Sequence, residues 1–384
     1  MKKSKIAILT DWYLPGNKAG GPVKSIYSIV TLLNSFFDFY ILTTNRDLGC
    51  AEPYTEITPN NFFIKDKIHY YYFDQKKISS NHMLMVLNEI KPDLIYLNSF
   101  WSFNFSINIV RLKNKKQINA PLLIAPRGML SKGAMSIKPV KKKLFLFYVK
   151  LLGWYNNVNY HATNQQEFKD ISFHFPKSKI LTIPNLNSAI SVLNNSIKTE
   201  KTLRLFFLSR ISKVKNLHFA LEALKNIPQD IKINYDIFGN IEDQNYWDNC
   251  LEIIKSLPEN IIVTYKNELP FNSVQNVISN YNCLFLPTLN ENFGHSIVES
   301  LLSGCPVIIS DKTPWQDLEI NNCGYAISLN EKSKFTNAII EMANLNQDDF
   351  NQKSKAANSY ICNKIDLNHT IFLYKNLFNE FIKN

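Results

Sequence analysis

The chain has 384 residues, of which 45% are hydrophobic, 20% are charged and 11 are glycine. This length is too great for one ordinary hydrophobic core and suits two domains of roughly 150–200 residues each, while the composition excludes a disordered chain. The formal net charge is +11, a balance that favours an acidic partner such as a nucleotide, a nucleic acid or an anionic membrane.

The cysteines and the apolar runs indicate a cytoplasmic protein. The six cysteines include no Cys-x-x-Cys pair, and Cys283 and Cys305 lie in apolar segments, so we expect reduced thiols rather than disulfides or zinc ligands. We find no signal-peptide pattern and no run of roughly 18 apolar residues. Zinc-finger and RNA-binding aromatic signatures are also missing, so we expect no nucleic-acid partner.

Short apolar runs alternate with helical segments through the first half of the chain. The predicted strands are Ile6–Leu9, Phe39–Leu42, Asp93–Leu97, Leu122–Ala125, Tyr160–Ala162 and Ile180–Ile183. The predicted helices are Val23–Phe36 and one centred on Leu84–Ile90. This alternation predicts a parallel sheet with right-handed crossovers.

An Asn- and Ser-rich stretch, residues 185–201, is the best linker candidate, and the pattern restarts after it. The second set of predicted elements is Leu203–Leu208, the helix Leu217–Leu224, Asn234–Phe238, Ile261–Val263, Cys283–Leu286, Val307–Ile309 and an amphipathic final helix, Leu367–Ile382. We therefore predict an N-terminal domain over residues 1–188, a linker over 189–201, a C-terminal domain over 202–365 and a terminal helix within 366–384.

Two carboxylates stand eight positions apart in the segment from Pro287 to Ser310. Glu291 lies in a polar loop after a predicted strand, and Ser296 with Glu299 reads as a capping box that opens a helix. The carboxyl ends of strands are where open α/β sheets bind ligands. The carboxylates can accept hydrogen bonds from hydroxyls, and the helix N-terminus can bind a diphosphate. A sugar nucleotide needs both kinds of group. Taken singly, Glu299 is explained as a capping carboxylate and Glu291 as a solvated loop charge.

A basic loop follows the predicted strand Leu203–Leu208. Arg210 and Lys215 lie there, and a guanidinium with an ammonium can clamp a diphosphate. They would neutralise the charge that grows on the phosphate as the sugar leaves. The alternative is a solvated basic turn. Lys213 is a third cation of this loop, and we expect no direct role for it.

A glycine-rich turn follows the first predicted strand and opens a helix. Its residues Gly20 and Gly21 bring backbone amides and a helix dipole that favour an anion. The turn matches neither Gly-x-Gly-x-x-Gly nor a Walker loop, which argues against a simple dinucleotide-binding site and against an ATPase site. A plain turn explains it equally well.

A basic segment runs from Lys138 to Trp154, with lysines interleaved among leucines and aromatic residues. Such a helix can lie on an anionic membrane surface, where each basic residue contributes about 1 kcal/mol. The alternative is an ordinary helix whose apolar face belongs to the core and whose lysines face solvent.

Several of these motifs together resemble the retaining glycosyltransferases of GT-B family 4, also called group 1. The resemblance rests on the Glu-x7-Glu pair, on Phe293-Gly294, on the Gly-Cys-Pro-Val string that begins at Gly304, and on Arg210 and Lys215 at matching positions. It covers most of the chain and is sharpest from residue 210 to residue 311. It implies an α/β fold with two facing Rossmann-like domains, parallel sheets and a C-terminal helix that crosses back to the first domain.

The resemblance also implies an activity and roles. We expect a retaining, metal-independent hexosyl- or N-acetylhexosaminyl-transferase without a cofactor, which uses UDP sugars in preference to GDP sugars. The acceptor would be a growing, lipid-linked or oligosaccharide O-antigen or capsule glycan at the inner face of the cytoplasmic membrane. Arg210 and Lys215 would hold the leaving diphosphate, Glu291 the sugar hydroxyls and Glu299 the ribose. Further donor contacts would come from Phe293, Gly294, Ser296, Gly20 and Gly21.

One departure from the family pattern concerns the donor sugar. Many relatives carry a His after the strand that matches Leu94–Leu97, whereas this chain has Asn98. Candidate contacts to the acceptor or the sugar are therefore Asn98, Arg127 and His161, with His161 equally well explained as a core histidine. A sugar-nucleotide epimerase of the same fold and a non-catalytic nucleotide-sugar-binding scaffold remain as alternatives.

Overall fold

The computed structural model describes residues 2–136, 139–189, 191, 194 and 196–382. The chain divides into two compact units: Met1–Ser188 with Leu367–Asn384 form unit 1, and Ala189–Asp366 form unit 2. Residues 190, 192, 193 and 195 of the predicted linker and Lys138 of the basic segment lie outside the described residues.

Unit 1 contains an eight-stranded sheet. Its strands are β1 (Ser4–Leu9), β2 (Phe37–Thr44), β3 (Phe62–Lys65), β4 (Ile68–Phe73), β5 (Leu94–Leu97), β6 (Leu122–Ile124), β7 (Asn159–Ala162) and β8 (Ile180–Thr182). They are ordered β3-β4-β2-β1-β5-β6-β7-β8, and only the edge pair β3–β4 is antiparallel. Ile6 to Leu9 are fully buried in the central strand β1, as expected for a strand covered on both faces.

Unit 2 contains a six-stranded, wholly parallel sheet. Its strands are β9 (Thr202–Leu208), β10 (Lys232–Phe238), β11 (Ile261–Tyr265), β12 (Cys283–Leu286), β13 (Val307–Ser310) and β14 (Gly324–Ile327). They are ordered β11-β10-β9-β12-β13-β14. The strands β9 and β12 pair directly at the centre, with Leu205 opposite Cys283. Because parallel neighbours end at the same sheet edge, the loops that follow β9 and β12 lie side by side.

Helices connect most of the strands. They are α1 (Gly21–Leu33), α2 (Ser80–Ile90), α3 (Asn108–Asn114), α4 (Lys132–Ser136), α5 (Pro139–Leu151), α6 (Gln165–His174), α7 (Leu217–Leu224), α8 (Gln244–Lys255), α9 (Val274–Ile278), α10 (His295–Leu302), α11 (Lys332–Asn344), α12 (Gln347–Lys364) and α13 (Leu367–Ile382). Several begin after a polar side chain that accepts from the N–H three residues on, as Ser79 does for α2 and Asp243 for α8. Such caps satisfy helix donors that have no partner within the helix.

The terminal helix α13 packs on unit 1, as predicted. Phe378 contacts Phe37 and Phe39 edge to face, with ring centroids 5.5 and 6.3 Å apart, and it also contacts Tyr96. The two-domain α/β fold with parallel sheets and a returning terminal helix is therefore confirmed, apart from the antiparallel pair β3–β4.

A buried hydrogen-bonded relay crosses the sheet of unit 1. The Arg127 guanidinium donates through Nη2 to the Tyr96 hydroxyl at 2.9 Å, and that hydroxyl lies 2.8 Å from His161 Nδ1. His161 Nε2 lies 2.9 Å from the carbonyl oxygen of Ile183. Since a carbonyl only accepts, Nε2 carries the proton, and Nδ1 accepts from Tyr96. His161 is thus a fully buried neutral imidazole with both nitrogens bonded.

Burial, with a further contribution from the Arg127 charge, lowers the pKa of His161 from 6.5 to about 3. The unfolded chain therefore binds a proton at this residue between about pH 6.5 and pH 3, and the folded chain does not. The folded state is therefore stabilised by its neutral His161 fully at neutral pH, and this stabilisation is lost as the pH falls through that window.

We predict that His161→Gln removes part of the acid sensitivity of folding. Between pH 7 and pH 5 the titration of His161 should cost the wild type about 2 kcal/mol of unfolding free energy, because each pKa unit corresponds to about 1.4 kcal/mol. Urea unfolding at pH 7, 6 and 5 measures this slope. His369→Gln, at an exposed position of α13, is the control. Equal pH slopes for the two variants would contradict the buried neutral assignment.

Candidate functional site

Two loops of unit 2 are tied together at the carboxyl edge of the sheet. After β9 the chain makes a 3-10 turn, Lys213–Lys215, and Asn216 takes a left-handed conformation with φ of 60°. The Asn216 amide donates to the carbonyl of Pro287 at 2.8 Å, and the Leu289 N–H donates to the carbonyl of Val214 at 2.8 Å. These bonds hold the loop after β12 against the loop after β9.

This bracing brings Lys215 and Glu291 into contact. Lys215 Nζ lies 2.6 Å from Glu291 Oε2, and the two side chains are only 13% and 17% exposed. The Glu291 N–H also donates to the carbonyl of Lys312 at 2.9 Å, which fixes the backbone beneath the carboxylate. Two residues that sequence reasoning placed in one site, 76 positions apart, are therefore direct neighbours. Their catalytic roles stay predictions.

Arg210 lies at the more exposed rim of the same edge. Its Nη1 donates to Glu242 Oε2 at 2.8 Å, and the side chains are 38% and 41% exposed, so the pair itself adds little stability. Glu242 was not predicted. Gly239 explains why the loops after β9 and β10 approach so closely: a Cβ there would lie 1.9 Å from the carbonyl oxygen of Ser209, and its φ is 142°.

The start of helix α10 corrects one prediction. Ser296 is not the N-cap and forms no capping box with Glu299: the helix begins at His295, its cap is Gly294, and no acidic residue lies in the first turn. Gly294 adopts φ of 81° and ψ of 63°, a conformation that glycine takes without steric cost. Glu299 therefore belongs to the second turn, where it is 6% exposed.

The remaining predicted donor contacts surround this helix start. A Cβ on Gly294 would lie 3.2 Å from Glu291 Cγ, so the glycine stands against the Glu291 side chain. Phe293 is buried, and its carbonyl accepts from the Trp315 indole N–H at 2.7 Å. The structure thus brings Glu291, Phe293 and Gly294 to one place. Roles for Ser296 and Glu299 toward a donor stay predictions.

In unit 1 the glycine-rich turn lies against a carboxylate of the chain itself. Gly20 is the cap of α1, with φ of 64°. The Asp47 carboxylate accepts from the backbone N–H groups of Asn17 and Lys18, at 2.8 and 3.2 Å. These turn amides therefore bind a carboxylate of the chain itself, while the roles predicted for Gly20 and Gly21 stay untested.

Asn98 and Arg127 form part of the relay described above. Arg127 Nε donates to Asn98 Oδ1 at 2.8 Å, its Nη1 donates to Asn185, and the Asn98 amide lies 3.3 Å from the carbonyl of Pro22. Asn98 is 1% exposed and His161 is fully buried. Both side chains are held by contacts within unit 1, and the contacts with an acceptor or a sugar predicted for Asn98, Arg127 and His161 stay predictions. Tyr96, which joins Arg127 to His161, was missed because only its apolar strand was read from the sequence.

The part of the chain that the structure describes contains no group of three or more His, Cys, Asp or Glu side chains placed to hold a metal ion. Within those same residues, no helix is long and apolar enough to span a bilayer. Neither finding tests the predicted absence of a cofactor.

Residues 193–359 match the family model described as Glycosyl transferases group 1. No curated protein sequence matches the chain.

Solved structures match along almost the whole chain at low identity. Anabaena HepE in complex with UDP and glucose has a TM-score of 0.70 at 14% identity, covering 98% of this chain and 100% of that one. A Staphylococcus aureus TarM variant with Fondaparinux, alpha-GlcNAc-glycerol and UDP gives 0.69 at 14%, covering 98% and 100%. WaaG, a glycosyltransferase involved in lipopolysaccharide biosynthesis, gives 0.68 at 12%, covering 97% and 99%. The chain therefore has the GT-B fold of these glycosyltransferases, and residues 193–359 match the group 1 glycosyl transferase model.

Proposed function

We propose that the protein transfers a glycosyl group from a nucleotide sugar to a hydroxyl of a saccharide acceptor. The observation that carries the proposal is the Lys215–Glu291 pair, 2.6 Å apart at the carboxyl edge of a parallel sheet. Such edges are the usual ligand sites of open α/β sheets. The group 1 family match of residues 193–359 supports it. UDP sugars are the preferred donors in this proposal, in keeping with the UDP in the HepE and TarM complexes.

The pair suits departure of a nucleoside diphosphate. An ammonium group has three donors, so Lys215 can keep its bond to Glu291 while it donates to a phosphate oxygen. Glu291 in turn keeps free lone pairs for sugar hydroxyls, and Arg210 supplies a second cation at the rim. Each charge-assisted hydrogen bond contributes roughly 1.5–3 kcal/mol. Stabilisation of the leaving group therefore comes from the side where its negative charge grows.

The finer features of the reaction belong to the same proposal. The acceptor attacks from the face that the diphosphate leaves, and the departing phosphate accepts the hydroxyl proton, so the anomeric configuration is retained. The two cations neutralise the diphosphate without a metal ion. Glu299 takes a hydrogen bond from the ribose, and hexosyl or N-acetylhexosaminyl groups are transferred.

Loss of either member of the pair should abolish most of the transfer. Lys215→Ala and Glu291→Ala should each lower kcat/KM at least about 100-fold, because the first removes the cation that stabilises the leaving diphosphate and the second removes both the acceptor for the sugar hydroxyls and the partner of Lys215. Product analysis with a panel of UDP and GDP sugars and lipid-linked acceptors, in EDTA and in Mg²⁺, measures the effect. Lys213→Ala, an exposed lysine of the same turn, is the matched control and should lose less than about threefold.

Other outcomes of the same panel contradict the proposal in different ways. Transfer that survives both alanine substitutions unchanged would remove Lys215 and Glu291 from the site. An epimerised nucleotide sugar formed without an acceptor would indicate an epimerase. Tight donor binding without turnover on every acceptor would indicate a binding scaffold.

We also propose that the acceptor is a lipid-linked, O-antigen or capsule-type glycan, reached from the cytoplasmic membrane surface through α5. This helix buries one face, where Leu146 and Val149 enter the core of unit 1. The opposite face carries apolar side chains that solvent reaches, with Phe147 68% and Leu151 72% exposed. The other exposed apolar residues of that face are Val140, Leu144 and Tyr148.

Charge favours an anionic lipid surface as the occupant of this face. Lys141 and Lys143 are exposed on α5, and each contributes about 1 kcal/mol near such a surface. Lys150 is also exposed, but its Nζ lies 5.9 Å from the Phe175 ring centre. Lys142 differs because its Nζ donates to the carbonyl of Ala134 at 2.6 Å and lies 5.4 Å from the Trp101 ring centre. Lys142 is therefore part of the inner packing rather than of the outer face.

Binding to vesicles should depend on the outer face of α5. Lys141→Glu with Lys143→Glu should lower flotation with anionic liposomes at least about tenfold, and Phe147→Ser should lower it further, because charge attraction and apolar burial both contribute. The same charge change at the exposed Lys115 and Lys355 is the control and should leave flotation unchanged. Equal flotation of the α5 variants and the control would refute membrane binding through this helix.

A further inference from the structure

An arginine at the carboxyl edge of the unit 1 sheet has a guanidinium with no hydrogen-bond partner among the described residues. Arg46 lies two residues beyond β2 and is half-buried, yet its Nε is buried without a hydrogen bond. Among the described residues its guanidinium also forms no ion pair. A buried guanidinium donor without an acceptor is costly, so the site is suited to a ligand that brings acceptors.

A carboxylate with one occupied oxygen stands at the end of the neighbouring strand. Asp11 lies two residues beyond β1, and its Oδ1 accepts from the Ser102 hydroxyl at 2.7 Å. No hydrogen bond joins its Oδ2 to any other residue that the structure describes. Burial raises the pKa of Asp11, and the Ser102 bond opposes that effect.

The two residues are close in the backbone but do not pair with each other. The strands β1 and β2 run parallel with Leu9 opposite Leu42. The Thr44 hydroxyl lies 2.6 Å from the carbonyl oxygen of Asp11 and 3.2 Å from that of Arg46, which joins the two chain segments. The Arg46 cation and the Asp11 carboxylate thus end adjacent strands, and among the described residues they form no ion pair with each other.

We propose that Arg46 and Asp11 form an acceptor subsite for a phosphate-bearing saccharide. Arg46 donates to the phosphate, whose geometry a planar guanidinium fork matches, and Asp11 Oδ2 accepts from a sugar hydroxyl. The inference rests on the proposed glycosyl transfer and narrows its acceptor to a sugar phosphate or a sugar held on a lipid by a phosphodiester.

Binding of matched probes tests the phosphate. The probes are glucose, galactose and N-acetylglucosamine, each as the free sugar, as the 1-phosphate and as the octyl phosphodiester. Calorimetry on the full chain with saturating UDP should show phosphate-bearing probes of at least one sugar binding about tenfold or more tighter than the free sugar. Tighter binding of the octyl diester identifies a lipid-linked acceptor, and tighter binding of the monoester a soluble sugar phosphate.

Substitutions test which residues cause the preference for phosphate-bearing probes. Arg46→Ala should erase the phosphate advantage, and Arg46→Lys should keep part of it. Asp11→Asn should weaken free and phosphorylated probes by the same factor. Arg111→Ala, an exposed arginine of unit 1, should change nothing. UDP affinity should stay within about twofold of the wild type throughout, which also shows that the variants fold.

Two results would overturn the assignment. One is that the wild type binds UDP but binds no phosphate-bearing probe of the three sugars more tightly than the free sugar. The other is an Arg46→Ala variant that keeps the phosphate advantage. A wild type that does not bind UDP at all would instead count against the proposed function itself.

Discussion

The pairing of Lys215 with Glu291 depends on the central position of β9 and β12 in the unit 2 sheet. These strands are direct neighbours, so their following loops meet at one edge, and the bonds from Asn216 to Pro287 and from Leu289 to Val214 hold them together. Each charge is largely shielded from water and is satisfied by the other. A largely buried lysine without this glutamate would carry a desolvation cost, so the two residues position each other before any ligand arrives.

Unit 1 uses polar contacts in a different way. The relay from Arg127 through Tyr96 to His161 is closed at both ends, with Asn98 and Asn185 on one side and the carbonyl of Ile183 on the other. These hydrogen bonds tie the chain segments at the ends of the strands together within unit 1. In the part of the chain that the structure describes, Arg46 Nε beyond β2 and Asp11 Oδ2 beyond β1 have no hydrogen bond to another residue. We therefore propose that the relay positions the chain and that Arg46 and Asp11 recognise the acceptor.

Much of the fold follows from local pattern, and much of the site does not. The apolar run Cys283–Leu286 and the amphipathic segments Leu217–Leu224 and Leu367–Ile382 became elements with the predicted bounds, because burial and periodicity act locally. The cap of α10 was misassigned because Gly294 and Ser296 are both good caps, and only the backbone angles decide between them. The partnership of Arg210 with Glu242 depends on β10 lying beside β9, a sheet order that local patterns do not encode. The aromatic edge pair β3–β4 was missed for a similar reason, since its stability comes from cross-strand ring contacts such as Phe63 with Tyr70.

The most direct measurement of the central claim is a double-mutant cycle on donor kcat/KM with Lys215→Met, Glu291→Gln and the double variant. If the pair acts as one unit on the leaving diphosphate, either single substitution should cost nearly as much as both together, because the first already disables the unit. Two losses that simply multiply in the double variant would show that the residues act independently. That result, or the absence of any loss, would contradict the account.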